Sequence, residues 1–352
     1  MDVVDNKINV LIIDDSALVR EILFKSLSQN ERIKVVGTAP DPYIAREIIA
    51  KKKVDVITLD IEMPKMDGLT FLKYLMKYYP IPVIIVSSLV DKTNDASIKA
   101  LELGAVDIVP KPDGSLSVCD IADILTDKII SASYIDFKKH KKISVYNIKN
   151  NIIHDKKKLL TTIRTTNKII AVGASTGGTQ ALEVLFKQCK PDFPPMVTVI
   201  HMPERFTYSF AKRLNDICPV NVKEAENNER IFAGTVYIAP GNYHMTIINY
   251  GKDSIIKILN GPAVNHQRPA VDVLFNSIAD NIGKNSIGVL LTGMGNDGAR
   301  GLLNIKNRGG YTIVQDEETS IVWGMPKEAV NLGAQDEILP LEKIVGKIIT
   351  KL

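Results

Sequence analysis

KIIAVGASTGGTQALEVLF, Lys168 to Phe186, passes from an apolar run through a glycine-flanked serine into a helical pattern. Within it Gly173, Ala174, Ser175, Thr176 and Gly177 fit G-x-S-x-G, in which a hydroxyl is held up on a tight turn between strand and helix. The same glycines also suit a phosphate cradle or a plain turn, so the stretch alone fixes strand, turn and helix but not their use.

The alternation continues outward from Ser175. "MVTVIH", "SIGVLLTG" and "YTIVQD" read as further strands, with helices from "TYSFAKRLNDI" and "ARGLLNIKNRG". This predicts a doubly wound, mostly parallel α/β domain. In its middle, "TVYIAPGNYHMTIINYGKDSIIKIL" has strand-rich halves around the turn signal "YGKD" and reads as an antiparallel insertion.

The N-terminal third shows the same grammar. "INVLIID", "IKVVGTA", "VDVITLD", "IPVIIVS" and "AVDIVPK" are apolar runs separated by helical patterns. Continuous apolar strands joined by helices specify a parallel sheet covered on both faces, here five-stranded and flavodoxin-like. Ligands of such sheets gather at the carboxyl ends of the strands. Those ends carry Asp14 and Asp15, Asp60, Ser87 and Lys111. Crowded carboxylates repel one another, and a hard cation with oxygen preference relieves that repulsion; Mg²⁺ is the expected ion at Asp14, Asp15 and Asp60. Such a metal also neutralises an incoming phosphoryl group while a carboxylate attacks it. Asp60 is the expected phosphoacceptor, with Ser87 bonding the acyl phosphate and Lys111 pairing with its charge.

At 352 residues the chain exceeds the usual single core, and two domains are expected. The boundaries follow as 1–131, a basic linker at 132–166, and 167–352. The net charge is +4, yet residues 138–168 hold ten Lys or Arg and one acid, so the rest is acidic overall. A solvated tether explains that segment. Nucleic-acid binding is not expected, because the second half is α/β and carries no basic excess outside the tether, rather than being a helix-turn-helix output domain. No apolar run reaches the length of a bilayer span and the start lacks a secretory pattern, so no membrane insertion and a cytoplasmic location are expected. Cys119, Cys189 and Cys218 are too widely spaced for a metal or redox pair and read as buried thiols.

A serine hydroxyl becomes a useful nucleophile only beside a base that is itself oriented by a third group. His201, His244 and His266 are the candidate bases of the second domain. His201 closes a strand and so lies at the same carboxyl edge as Ser175, whereas the other two sit in or beside the insertion. Asp297, in a glycine-rich turn after an apolar strand, is the expected orienting acid; its competing role is to cap the helix that follows. Backbone N–H groups around Thr176 or Met294 are the expected oxyanion donors. The order Ser175, His201, Asp297 differs from the Ser, acid, His order of α/β-hydrolases, and the G-K-[ST] ending of a phosphate loop is absent.

Residues 8–131 resemble the receiver domain of two-component response regulators. "VGASTGG", "HMPERFTYSFAKRLN", "YIAPGNYHM", "RPAVDVLF", "LLTGMGNDGARG" and "TIVQDEETSIVWGMPKEAV", in that order, resemble the catalytic domain of the chemotaxis protein-glutamate methylesterase family. The resemblance implies a histidine kinase as phosphodonor to Asp60. It also implies hydrolysis of glutamate γ-methyl esters on methyl-accepting chemoreceptors by Ser175, His201 and Asp297, with deamidation of receptor glutamines as related chemistry and no organic cofactor. A resting receiver is expected to restrict Ser175 until Asp60 is phosphorylated. A phosphorylation-dependent DNA-binding regulator and a generic serine esterase are the alternatives. Ile200 departs from the family, which often has a glutamine before "HMP".

Overall fold

The computed structural model describes residues 7–88, 91–111, 118–135, 168–250 and 253–352. The chain divides into two compact units, Met1–Lys138 and Lys139–Leu352. Nearly all of the basic tether at 132–166 lies outside the described residues.

The first unit alternates strands β1 (Ile8–Ile13), β2 (Ile33–Ala39), β3 (Val56–Leu59), β4 (Val83–Ser87) and β5 (Asp107–Pro110) with helices α1 (Ala17–Ser28), α2 (Pro42–Lys51), α3 (Gly68–Tyr78), α4 (Asp91–Glu102) and α5 (Val118–Ser133). All strand pairs are parallel, in the order β2-β1-β3-β4-β5. β3 and β4 are buried throughout, as strands covered on both faces must be. Helix starts are set by side chains that accept otherwise unpaired N–H groups: Ser16 accepts from Val19, and Asp41 from Tyr43 and Ile44. Helix α5 runs two residues into the segment read as tether.

The second unit holds β6 (Ile169–Ala174), α6 (Gly178–Lys187), β7 (Met196–Ile200), α7 (Phe206–Ile217), β8 (Asn221–Glu224), β9 (Thr235–Ile238), β10 (His244–Tyr250), β11 (Asp253–Leu259), α8 (Val271–Asn281), β12 (Ser286–Leu290), α9 (Ala299–Asn307), β13 (Tyr311–Gln315), α10 (Met325–Asn331), β14 (Glu337–Leu339) and α11 (Leu341–Ile349). Seven strands form one sheet in the order β14-β13-β12-β6-β7-β9-β8, and every pairing in it is parallel. From β6 the chain builds outward on one side through β7 and on the other through β12. Because parallel crossovers are right-handed, this reversal puts helices on both faces. Helix α6 packs with α7 and α11, while α9 packs with α8 and α10.

The predicted insertion is only half an insertion. β10 and β11 do form an antiparallel pair of their own, but the preceding "TVYI" is β9, a parallel strand beside β7. Two strands with no expectation in the sequence, β8 and β14, are the edges of the sheet. Ala171, Val197, Val199, Leu290 and Val314 of the sheet meet Leu274, Phe275 and Ile278 of α8 and Leu302 and Ile305 of α9 in the core. Burying a side chain such as Phe275 contributes about 1.5–3 kcal/mol, which holds the strand ends beneath the loops. Among the described residues no helix is long and apolar enough to cross a membrane.

Candidate active site

In both sheets the notable side chains stand where strand order reverses, the crevice in which open α/β sheets bind ligands. In the second unit that point lies between β6 and its neighbours β7 and β12. Ala174 and Ile200 are the last paired residues of β6 and β7, so Ser175 and His201 leave adjacent strands one residue later. The His201 N–H donates to the Ala174 carbonyl at 3.2 Å, and the Ser175 N–H to the Thr292 carbonyl at 3.0 Å. The serine turn is thereby tied to the loop after β12.

Helix α6 starts at once after this turn because Gly177 adopts a left-handed conformation, φ 77°; a Cβ there would also lie 2.6 Å from Ile321 Cβ. Ser175 is half-buried and its carbonyl accepts from Gly178 N–H at 2.6 Å. Across the crevice Gly293 passes so close that a Cβ on it would meet Ser175 Cβ at 2.7 Å.

His201 and Asp297 are buried and joined by a bond of 2.8 Å from His201 Nε2 to Asp297 Oδ2. Asp297 also accepts from the Val271 N–H at 2.6 Å, the Asp272 N–H at 3.1 Å and Asn265 Nδ2 at 2.9 Å. Burial works against the charge of this carboxylate, but the bond and charge of His201, the Asn265 amide and the Val271 N–H outweigh it. They hold Asp297 below the usual carboxylate range. An ionised carboxylate only accepts, so Nε2 carries the proton, and in the neutral imidazole Nδ1 keeps a free lone pair. Among the described residues that buried Nδ1 has no hydrogen-bond partner.

Asp297 does not cap the helix that follows it. Helix α9 begins at Ala299, preceded by Gly298 and with no side-chain cap, and Asp297 instead receives the first N–H groups of α8. Asp272, in the first turn of α8, accepts in turn from Gly301 N–H of α9 at 2.7 Å. The two helix starts exchange acceptors.

The other histidines are placed differently. His244 on β10 is buried, with Nε2 2.9 Å from the Pro262 carbonyl and Nδ1 accepting from Ala270 N–H at 3.2 Å, which leaves no nitrogen for chemistry. His266 is exposed. Thr176 is buried and its carbonyl accepts from Thr292 Oγ1 at 3.0 Å, while Met294 is half-buried in the loop between Gly293 and Asp297. Thr292 N–H donates to the buried Gln315 side chain at 2.8 Å, fixing the loop that receives Ser175. Thr292, Gln315, Asn265 and Asp272 have no role in the sequence reading. Only Asp272, an acid at a helix start within "RPAVDVLF", offered a local signal.

In the first unit β1 and β3 flank the corresponding reversal. Asp14, Asp15 and Asp60 each bring a carboxylate oxygen within 4.8 Å of the others. Lys111, from the end of β5, lies 2.9 Å from Asp14 Oδ2 and 2.7 Å from Asp60 Oδ2. Those two oxygens have no hydrogen bond, so the ammonium ion is their one compensating charge among the described residues. Burial pushes Asp60 up to about 6, with Lys111 opposing and the Asp14 charge reinforcing the rise. Under-compensated buried carboxylate oxygens are the hard donors a small divalent cation takes, and the residues fit Mg²⁺. Ser87 is fully buried, its hydroxyl has no partner among the described residues, and its carbonyl accepts from Lys111 N–H at 2.7 Å.

Comparison with known proteins agrees with this division. The CheB methylesterase family matches residues 170–348, and the response regulator receiver domain family residues 10–120. The chain belongs to the CheB methylesterase family. A protein-glutamate methylesterase/protein-glutamine glutaminase of Syntrophus aciditrophicus is 49% identical over 344 residues, covering 98% of this chain and 99% of the relative. One from Escherichia coli is 42% identical over 354 residues, covering 99% and 97%. The crystal structure of the Thermotoga maritima CheB methylesterase catalytic domain superposes with a TM-score of 0.52 at 39% identity, covering 53% of this chain and 98% of that one. Membership in the CheB family accounts for both crevices in one polypeptide: a receiver domain ahead of a hydrolase.

Cys189 and Cys218 are buried free thiols, both pushed up by burial, Cys218 to about 12. The Cys119 side chain lies outside the described residues.

Proposed function

We propose that this enzyme is a phosphorylation-controlled protein-glutamate methylesterase that hydrolyses γ-methyl esters on the cytoplasmic helices of methyl-accepting chemoreceptors. The observation that carries the chemistry is the buried bond from His201 to Asp297, which leaves Nδ1 free one residue past the strand adjacent to that of Ser175.

In the reaction His201 Nδ1 takes the proton of Ser175 Oγ as that oxygen bonds to the ester carbonyl carbon. The negative charge moves to the carbonyl oxygen, where backbone N–H groups near Thr176 and Met294 serve as donors. Collapse breaks the bond to the methoxy oxygen, which leaves as methanol with the proton held by His201. Water then gives a proton to His201 while its oxygen attacks the acyl-serine; the acyl–Oγ bond breaks as His201 returns the proton to Ser175 Oγ, and the glutamate side chain leaves as its acid and ionises in water. Asp297 stays ionised and balances the imidazolium. A receptor glutamine follows the same course with ammonia leaving.

Asp60 is proposed to accept a phosphoryl group from a histidine kinase. Asp14, Asp15 and Asp60 would hold Mg²⁺, which neutralises phosphoryl charge when bound. Lys111 and Ser87 would then read the modified aspartate and relay its state to the hydrolase.

The test is methanol release from methylated receptor membranes by the full-length protein. Ser175→Ala is expected to abolish release, and Asp60→Asn to keep basal release but lose stimulation by phosphodonor. Undiminished release by Ser175→Ala would overturn the serine mechanism. Hydrolysis of small soluble esters with receptors left untouched would favour a generic esterase instead.

A further inference from the structure

Asp297 and Asp272 are two buried carboxylates with one amide between them. The Asn265 side-chain nitrogen lies 2.9 Å from Asp297 Oδ1 and 2.9 Å from Asp272 Oδ2. An amide nitrogen carries two hydrogens, so each is available to one carboxylate. Asn265 is itself exposed, whereas Asp297 and Asp272 are 2% and 6% exposed, so the amide closes the pair off from solvent.

We propose that Asn265 is a positioning residue of the hydrolase, holding Asp297 and Asp272 ionised side by side so that Asp297 keeps His201 in the tautomer that accepts the serine proton. The inference rests on the serine-hydrolase assignment above. The ionisable groups facing this cluster are His201 from the end of β7 and Asp272 from α8, with Asp297 itself from the loop after β12. Each carboxylate has further donors, Gly301 N–H for Asp272 and two backbone N–H groups for Asp297, but among the described residues only Asn265 bonds to both. Like charges this close ionise together only when donors lie between them. In keeping with that, Asp272 is raised by burial and by the Asp297 charge, against the bonds from Gly301 and Asn265.

The choice of residue is also constrained by the backbone. Asn265 has φ 52°, a left-handed conformation that asparagine, aspartate and glycine accept most readily. Asn265→Asp therefore preserves size and backbone while replacing the shared donor with a third carboxylate. At pH 8 the three charges repel, and Asp297 loses its fixed relation to His201. As pH falls the cluster takes up one proton, one O–H again lies between two of the carboxylates, and one of the two lost bonds is restored.

The experiment measures kcat and KM for methanol release from pH 6 to pH 8.5 by full-length wild type, Asn265→Asp, Asn265→Gly and Ser175→Ala, each checked by thermal unfolding. The expected result is a kcat for Asn265→Asp roughly tenfold to a hundredfold below wild type at pH 8, with KM nearly unchanged. That deficit should shrink severalfold toward pH 6. Asn265→Gly, which keeps the backbone but has nothing to protonate, should lose kcat by a similar factor with no recovery in acid, and it stands in if the aspartate variant fails to fold. Wild-type kcat in both variants, or a deficit in Asn265→Asp that is constant across pH, would overturn the inference. Activity in Ser175→Ala would instead remove the serine mechanism, a separate failure.

Discussion

Replacing Asp297 with asparagine separates its two roles, holding His201 and satisfying the start of α8. The wild-type carboxylate accepts from His201 at 2.8 Å, Val271 N–H at 2.6 Å, Asn265 at 2.9 Å and Asp272 N–H at 3.1 Å. An asparagine has one oxygen, so whichever way its amide turns, two donors of the crevice face an NH₂ group. An unsatisfied buried donor costs about 1–3 kcal/mol, which puts the loss near 2–4 kcal/mol once local relaxation is allowed. Asp297 is held below its ordinary range in the fold, so its contribution is complete above the unfolded carboxylate value of about 4 and is lost as pH falls through the lower folded value. The stability deficit of Asp297→Asn should therefore be full at pH 7 and shrink below about pH 4. Activity should fall much further, by roughly 10³–10⁴ in kcat, because with the NH₂ group turned to His201 the imidazole loses the acceptor that fixes its tautomer. Methanol release gives the second quantity and denaturant unfolding the first. A variant destabilised by this amount with kcat within about threefold of wild type would show Asp297 to be only a helix cap, and the proposed triad would fall.

Gly293→Ala forces a methyl group to within 2.7 Å of Ser175 Cβ and 2.3 Å of Met325 Sδ, so a loss of about 1–3 kcal/mol and at least a tenfold drop in methanol release are expected. A variant with wild-type release would show the crevice to be looser than drawn. In chelator, Asp60→Asn should be more stable than wild type at pH 8 by about 1–2 kcal/mol after allowance for solvent screening. Because the folded Asp60 value, about 6, lies above the unfolded one, its ionisation weakens the fold as pH rises through that value. The gain should fade toward pH 4, and Mg²⁺ should reduce it by stabilising wild type; equal stability at all pH would contradict the crowded-carboxylate account. Cys189 and Cys218 should resist alkylation in the folded protein at pH 8 and react in denaturant, as peptide mapping would reveal. Labelling of either in the native state would show that the segment after α6 or α7 opens.

Much of this protein is written in local pattern. Apolar runs broken by helical stretches give two parallel sheets, and the residues just past strand ends, Asp14, Asp60, Lys111, Ser175 and His201, are legible because a parallel sheet carries all its strand ends to one edge. The short edge strands β8 and β14 escape, since partly exposed segments such as "NVKE" lack an apolar run. "TVYI" reads as part of a hairpin because sequence does not say which neighbour a strand will choose.

Local pattern alone was enough to bring Asp14, Asp60, Lys111, Ser175 and His201 to the sheet edges, because one-residue steps past a strand end are fixed by backbone geometry. Only the tertiary structure decided how they are wired. Asp297 serves α8 rather than the adjacent α9, Asp272 answers across to Gly301, and Asn265 from a surface loop bridges both acids. Those bonds join residues as many as 32 positions apart, and a polar side chain pairs with whichever donor packing brings near it, which no local spacing records.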